Sequence, residues 1–182
     1  MRILAVSGIL QDRSSNDALL TAAAELGAQS SPGVQVVRSI STAEVPAFNP
    51  DLERDGAPAP ASVSTFRAQV AAADAVLIAT PEYAHSLPGA LKNALDWLVG
   101  SGDLYGKPVA VVAASPRPDG AQLGRAALEQ TLRAQGAASV VSTTVTVSST
   151  EFRQRGLGAG PRDAVGVALG QLVAAATEGR RA

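Results

Sequence analysis

Short, unbroken apolar runs recur along this chain, each cut off by small or turn-forming residues and each followed by a helical pattern. Arg2-Ile-Leu-Ala-Val6 ends at Ser7-Gly8, and Ala75-Val-Leu-Ile-Ala79 ends at Thr80-Pro81. Lys107 to Ala114 is a third such run. Runs without polar alternation read as strands covered on both faces. Gly33 to Val37 and the Val/Thr-rich Val140 to Val147 add a second and a fifth strand by position. Helices are predicted between them. One starts at the N-caps Ser14 and Ser15 and runs to Leu26, with Gly27 as its stop. Others cover Val63 to Ala73, the stripe Leu87, Leu91, Leu95 and Leu98 behind Pro88, Leu123 to Gln135 closed by Gly136, and Arg162 to Thr177. Thr42 to Ala61, with Pro46, Pro50, Gly56, Pro58 and Pro60, reads as a long irregular connection. Five strand–helix alternations predict an α/β fold, a doubly wound five-stranded parallel sheet with helices on both faces. A length of 182 residues suits one domain, taken as residues 1–178, with 179–182 as a frayed tail.

Composition removes several chemistries. There is no cysteine, which excludes disulfides, thiol nucleophiles and thiolate-held metals. The single histidine, His85, excludes a multi-histidine metal site, and no metal site is expected. A net charge of −1 provides no basic field for nucleic acid. No apolar run is long enough for a membrane span or a signal peptide, so a cytoplasmic protein is expected. Only 3% of residues are aromatic, so Ala, Val and Leu must fill the core.

A sheet of this kind binds ligands beyond the carboxyl ends of its strands. Three loops lie there. Ser7 to Asn16 joins a buried strand to a helix start, with Gln11, Arg13, Ser14 and Asn16 as side-chain donors. Backbone N–H groups and the positive helix end suit an anion such as a phosphate monoester. A capped helix with a solvated loop explains the same residues equally well. The glycines of a dinucleotide fingerprint and the lysine of a nucleotide P-loop are both missing. Thr80 to Gly89 holds two prolines and Tyr83, and reads either as a rigid wall for a flat heteroaromatic ring or as a stiff connection. Ala114 to Gly120 offers Ser115, or is a tight turn. Lys92 and Asp96, four apart, read as a surface ion pair. Trp97 is read as core or subunit interface, and as an interface anchor if the Leu87–Leu98 stripe faces the sheet.

The segment from Ala73 to Trp97, with its P-E-Y…S-x-P-G-x-L-K-N-x-x-D-W pattern, resembles the signature of the NADPH-dependent FMN reductase family. Val45 to Glu53, Gly106 to Pro108 and, more weakly, Gly8 to Asn16 extend the resemblance. It implies a flavodoxin-like fold and FMN as cofactor, with NAD(P)H as co-substrate. It implies cofactor-binding residues Gly8, Leu10, Gln11, Arg13, Ser14 and Asn16 in the first loop. In the second loop these are Pro81, Glu82, Tyr83, Ala84, His85 and Ser86, and after the fourth strand Ser115 and Gly120. No catalytic side chain is implied, because the flavin carries the redox chemistry. The family's phosphate loop usually has a serine where Ile9 stands and an arginine where Gln11 stands, and Arg13 is placed to supply that charge. Ala84 replaces the family's asparagine.

The resemblance also implies a homodimer or homotetramer and a small-molecule electron acceptor, such as a quinone, an azo compound or free FMN. The expected function is therefore an FMN-dependent NAD(P)H oxidoreductase. The alternative is a non-enzymatic electron carrier or a weak flavin-binding module, and the small net charge argues against an acidic carrier.

Overall fold

The computed structural model describes residues 1–30 and 33–179. Strands β1 (Arg2–Ser7), β2 (Gln35–Arg38), β3 (Ala75–Ala79), β4 (Pro108–Ser115) and β5 (Ser139–Thr146) form one sheet in the order β2-β1-β3-β4-β5. Every pairing is parallel. Helices α1 (Ser15–Ser30), α2 (Ala61–Ala71), α3 (Gly89–Asp96), α4 (Gln122–Ala134), α5 (Ser149–Arg155) and α6 (Ala159–Gly179) complete the architecture.

The two-residue period of a strand divides the core in two. Leu4, Val6, Val76 and Ile78 point to the face covered by α2, α3 and α4, with Phe66, Leu91, Leu95 and Leu128. Ile3, Ala5, Leu77 and Val112 point to the face covered by α1 and α6, with Leu19, Leu20, Leu169 and Leu172. All five residues of β3 are buried, as its unbroken apolar run requires. This is the doubly wound, flavodoxin-like α/β fold expected from the sequence.

Several boundaries differ from the sequence reading. Gly27 does not stop α1, which continues to Ser30. A Cβ at Gly27 would lie 3.0 Å from Val36 Cγ2, so the glycine serves the close approach of β2 to the helix. β2 begins at Gln35 rather than Gly33, which sits at φ +106°. α2 covers Ala61–Ala71, two residues earlier than read. α5 was missed altogether, although Ser148 and Glu151 hold a capping spacing and Ser148 Oγ accepts from Glu151 N. α6 starts at Ala159 because Pro161 falls in its first turn, where a missing N–H costs nothing. Of the tail read as frayed, Gly179 closes α6, and 180–182 lie outside the described residues.

The connection read as irregular carries two 3-10 turns, Thr42–Glu44 and Pro50–Gly56. A capping box between Ser41 and Glu44 fixes the first, and Asn49 with Pro50 starts the second. Asn93 holds the segment between them: its Oδ1 accepts from Phe48 N at 2.7 Å, and its Nδ2 donates to Pro46 O at 2.9 Å. Trp97 Nε1 donates to the same carbonyl at 2.9 Å. Arg67 donates to Trp97 O, pairs with the Glu53 carboxylate and lies 5.8 Å from the Trp97 ring centroid. Phe48 meets that ring edge-on at 5.0 Å. Trp97 is thus 0% exposed within its own chain, which overturns its reading as a surface anchor for a partner. Lys92 and Asp96 do form the expected exposed pair, at 2.6 Å.

Removing the indole deletes core volume, a hydrogen bond and the ring stacked under Arg67. Trp97→Ala should therefore lower unfolding free energy by about 3–5 kcal/mol, read from denaturant titration. The Arg67 guanidinium bonded to Glu53 holds that carboxyl below its ordinary value. The stability this supplies is fully present above the ordinary carboxylate range and is lost as pH falls through the lowered folded value. Denaturant midpoints followed from neutral to acid pH should accordingly fall less steeply in Glu53→Gln than in the wild type.

Candidate functional site

β1, β3 and β4 lie side by side, so their carboxyl ends deliver three loops to one edge of the sheet. Three hydrogen bonds hold these loops to the sheet and to each other. Gly8 N donates to Ala79 O at 2.7 Å, bringing the first loop against the end of β3. A Cβ on Gly8 would lie 3.0 to 3.1 Å from Leu91, Ala79 and Thr80, so only glycine passes here without displacing a neighbour. Asn16, buried in the first turn of α1, accepts from Ala114 N at 2.8 Å and ties the helix to β4. Glu82 Oε2 accepts from Gly124 N at 2.8 Å and ties the second loop to α4.

The first loop is donor-rich. Ser14, also buried, accepts from Asp17 N at 3.0 Å and caps α1. Arg13 adopts φ 55° just before it. Among the described residues, the backbone N–H groups from Leu10 to Asn16 donate to nothing in the chain. Such a cluster of free donors at a helix start is what an anion needs. Leu10, Gln11, Asp12 and Arg13 stand exposed around it. A groove of about 290 Å³ runs from this loop to Arg38–Ser41, where Arg38 is already paired with Asp17 at 2.9 Å.

In the second loop, Tyr83 N donates to Ser86 O at 3.0 Å and Ser86 N to Tyr83 O at 2.9 Å. These bonds close a tight turn with Ala84 at φ 47° and His85 at φ 61°. The N–H groups of Glu82, Ala84 and His85 find no acceptor among the described residues. Tyr83 presents a half-exposed ring, and His85 is mostly exposed, with Nδ1 3.3 Å from Glu82 Oε1. The bond from Gly124 N is the main reason that the Glu82 carboxyl is held below its ordinary value.

The segment after β4 is a tight turn. Ser115 Oγ accepts from Arg117 N at 3.2 Å, and a Cβ on Gly120 would collide with that hydroxyl at 1.9 Å. Thr144 Oγ1 fixes the turn from β5 by donating to Gly120 O at 2.8 Å.

The family described as NADPH-dependent FMN reductase matches residues 1–151. The chain belongs to this family. The family's description names FMN and NADPH, in agreement with what the resemblance implied. A probable NADPH:quinone oxidoreductase 2 of Oryza sativa subsp. japonica is 45% identical over 97 residues, 53% of this chain and 47% of that protein. An NAD(P)H-dependent FMN reductase of Pseudomonas aeruginosa is 37% identical over 134 residues, 72% of this chain and 69% of its own length. The chain spans about half the length of the plant relatives it matches. Among solved structures, FerB, a flavoenzyme NAD(P)H:(acceptor) oxidoreductase from Paracoccus denitrificans, superposes with a TM-score of 0.73 at 27% identity, covering 99% of this chain and 97% of FerB.

The FMN reductase signature now has a division of labour in this chain. Asn93 and Trp97 hold the Val45–Phe48 segment, whereas Pro81 to Ser86 form the turn. Gly124 and Thr144 were missed by the sequence reading. A lone glycine inside a helical pattern was the available signal for the first, since it marks close packing. Thr144 carries no such signal, because a threonine in a strand is ordinary. The turn itself is strained. Ala84 and His85 occupy the left-handed region that glycine and asparagine favour. Ala84→Gly should raise unfolding free energy by about 0.5–1 kcal/mol, checked by thermal and denaturant melts of the two proteins.

Proposed function

We propose that residues 1–178 form one flavodoxin-like domain that binds FMN across the three loops and serves an NAD(P)H-dependent reductase. Its acceptor is a small molecule, a quinone, an azo compound or free FMN. The working form is a cytoplasmic homodimer or homotetramer. Family membership supports the chemistry. The observation that carries the reading in this chain is the run of N–H groups from Leu10 to Asn16 at the start of α1, which are unbonded among the described residues. Among the described residues, no helix is long and apolar enough to cross a membrane.

Each part of the cofactor has residues that fit it. The phosphate would be held by the N–H groups of the first loop, with Gly8 allowing the loop its position, Ser14 and Asn16 fixing its base, and Gln11 and Arg13 at its rim. Arg13 supplies the charge that Gln11 lacks. A flat ring would be held along Pro81 to Ser86, where the N–H groups of Glu82, Ala84 and His85, free among the described residues, would donate to its polar edge and Tyr83 and Leu10 would give apolar cover. Ser115 and Gly120 bound the opposite side. Bound FMN supplies the two-electron chemistry between nicotinamide and acceptor. Fixed backbone donors favour negative charge on a ligand edge without reorganising, which is the protein's share of that chemistry. No protein nucleophile takes part.

Riboflavin lacks the phosphate and forfeits its charge-assisted contacts, each worth about 1.5–3 kcal/mol. FMN should therefore bind at least a hundredfold more tightly than riboflavin in a fluorescence titration, and the yellow complex should bleach when NADPH is added without oxygen. Equal affinities for the two flavins, or a complex that NADPH leaves yellow, would contradict the proposal.

A further inference from the structure

One side chain joins the second loop to α4. The carboxylate of Glu82 reaches the first turn of α4, where Oε2 accepts from Gly124 N at 2.8 Å, and Leu123 N also contributes to holding it ionised. α4 starts from Ala121 at φ 58°, which has no side-chain cap to give. The cap therefore comes from a different element. Gly124 makes the approach possible, since a Cβ there would lie 3.0 Å from both Glu82 Cα and Cβ. The other carboxylate oxygen lies 3.3 Å from His85 Nδ1, at the tip of the strained turn. Both oxygens of Glu82 are thus committed to protein partners, one on α4 and one within the second loop.

We propose that Glu82 is a positioning residue. By capping α4 from the second loop, it sets the distance between Pro81–Ser86 and the Ser115–Gly120 turn, and with it the width of the slot that a flavin ring enters. The role rests on reading these loops as the flavin crevice. It needs no contact between the carboxylate and the ligand. Its chemistry is that of a helix cap, in which a side-chain oxygen accepts from N–H groups left open by the first turn.

Amide hydrogen exchange on the purified protein and FMN titration, run on three variants, test it. In Glu82→Ala, exchange at Leu123 and Gly124 should quicken at least tenfold and the FMN Kd should rise at least tenfold. Glu82→Gln keeps an oxygen that can accept from Gly124, and should stay within threefold of the wild type in both readouts. Gly124→Ala leaves the carboxylate in place and substitutes a better helix former, yet forces the loop away from α4. It should weaken FMN binding as much as Glu82→Ala while its denaturant midpoint does not fall. Unchanged exchange at Leu123 and Gly124 in Glu82→Ala overturns the cap. Equal losses in the Gln and Ala variants also overturn it, because charge and not the hydrogen bond would then matter. Faster exchange with wild-type FMN affinity throughout overturns the slot-setting role. A wild-type protein that binds no FMN overturns the flavin reading instead, and exchange still reports on the cap.

Discussion

The central strands of this sheet are covered on both faces, and that constraint governs where the chain can expose polar backbone. β1, β3 and β4 have no solvated side, so their N–H and C=O groups are consumed in parallel ladders and their side chains in two apolar layers. Along these three strands, open backbone donors are confined to the strand ends. The three loops beyond the carboxyl ends are therefore where binding chemistry can collect, and the adjacency of β1 and β3 opens a crevice between connections that leave in opposite directions.

A crevice made of loops needs fixing, and here few bonds do it. Gly8 against Ala79, Asn16 against Ala114 and Glu82 against Gly124 link the three loops to one another and to the sheet. Behind them, Asn93, Trp97, Arg67 and Glu53 hold down the long connection after β2. The strain at Ala84 and His85 persists because both flanks of that turn are fixed. A larger groove, about 650 Å³, lies between α3 and α4 beside Tyr105 and Gln135. Its cations are already engaged, Lys92 with Asp96 and Arg133 with Glu129, and it sits toward the amino ends of β4 and β5. Size alone therefore does not make it the ligand site. The crevice has the free donors.

Much of this was legible in the sequence, for physical reasons. Unbroken apolar runs such as Ala75–Ala79 can hardly be anything but doubly covered strands, and they marked out the strands of the chain and the loops worth reading. Ser14 was readable as a cap because a capping residue has few other uses there, whereas Gly8 was read only as the end of β1 and as part of the resemblance, and its close approach to Ala79 and Leu91 emerges from the fold. Trp97 was misjudged. Helical spacing placed it off the leucine stripe, but α3 ends at Asp96, and the ring turns under a loop whose path no periodicity reports. Gly27 misled because a glycine that ends a helix and a glycine that lets a strand approach look alike in one sequence. The double duty of Glu82 depends on a contact across 42 positions, which local pattern cannot show.

The most direct measurement is a titration with FMN followed by backbone amide NMR. The largest shifts should fall on residues 10–16, 82–86 and 115–121, with the α3–α4 groove around Tyr105 and Gln135 unmoved. Shifts centred on that groove, or none at the three loops, would contradict this.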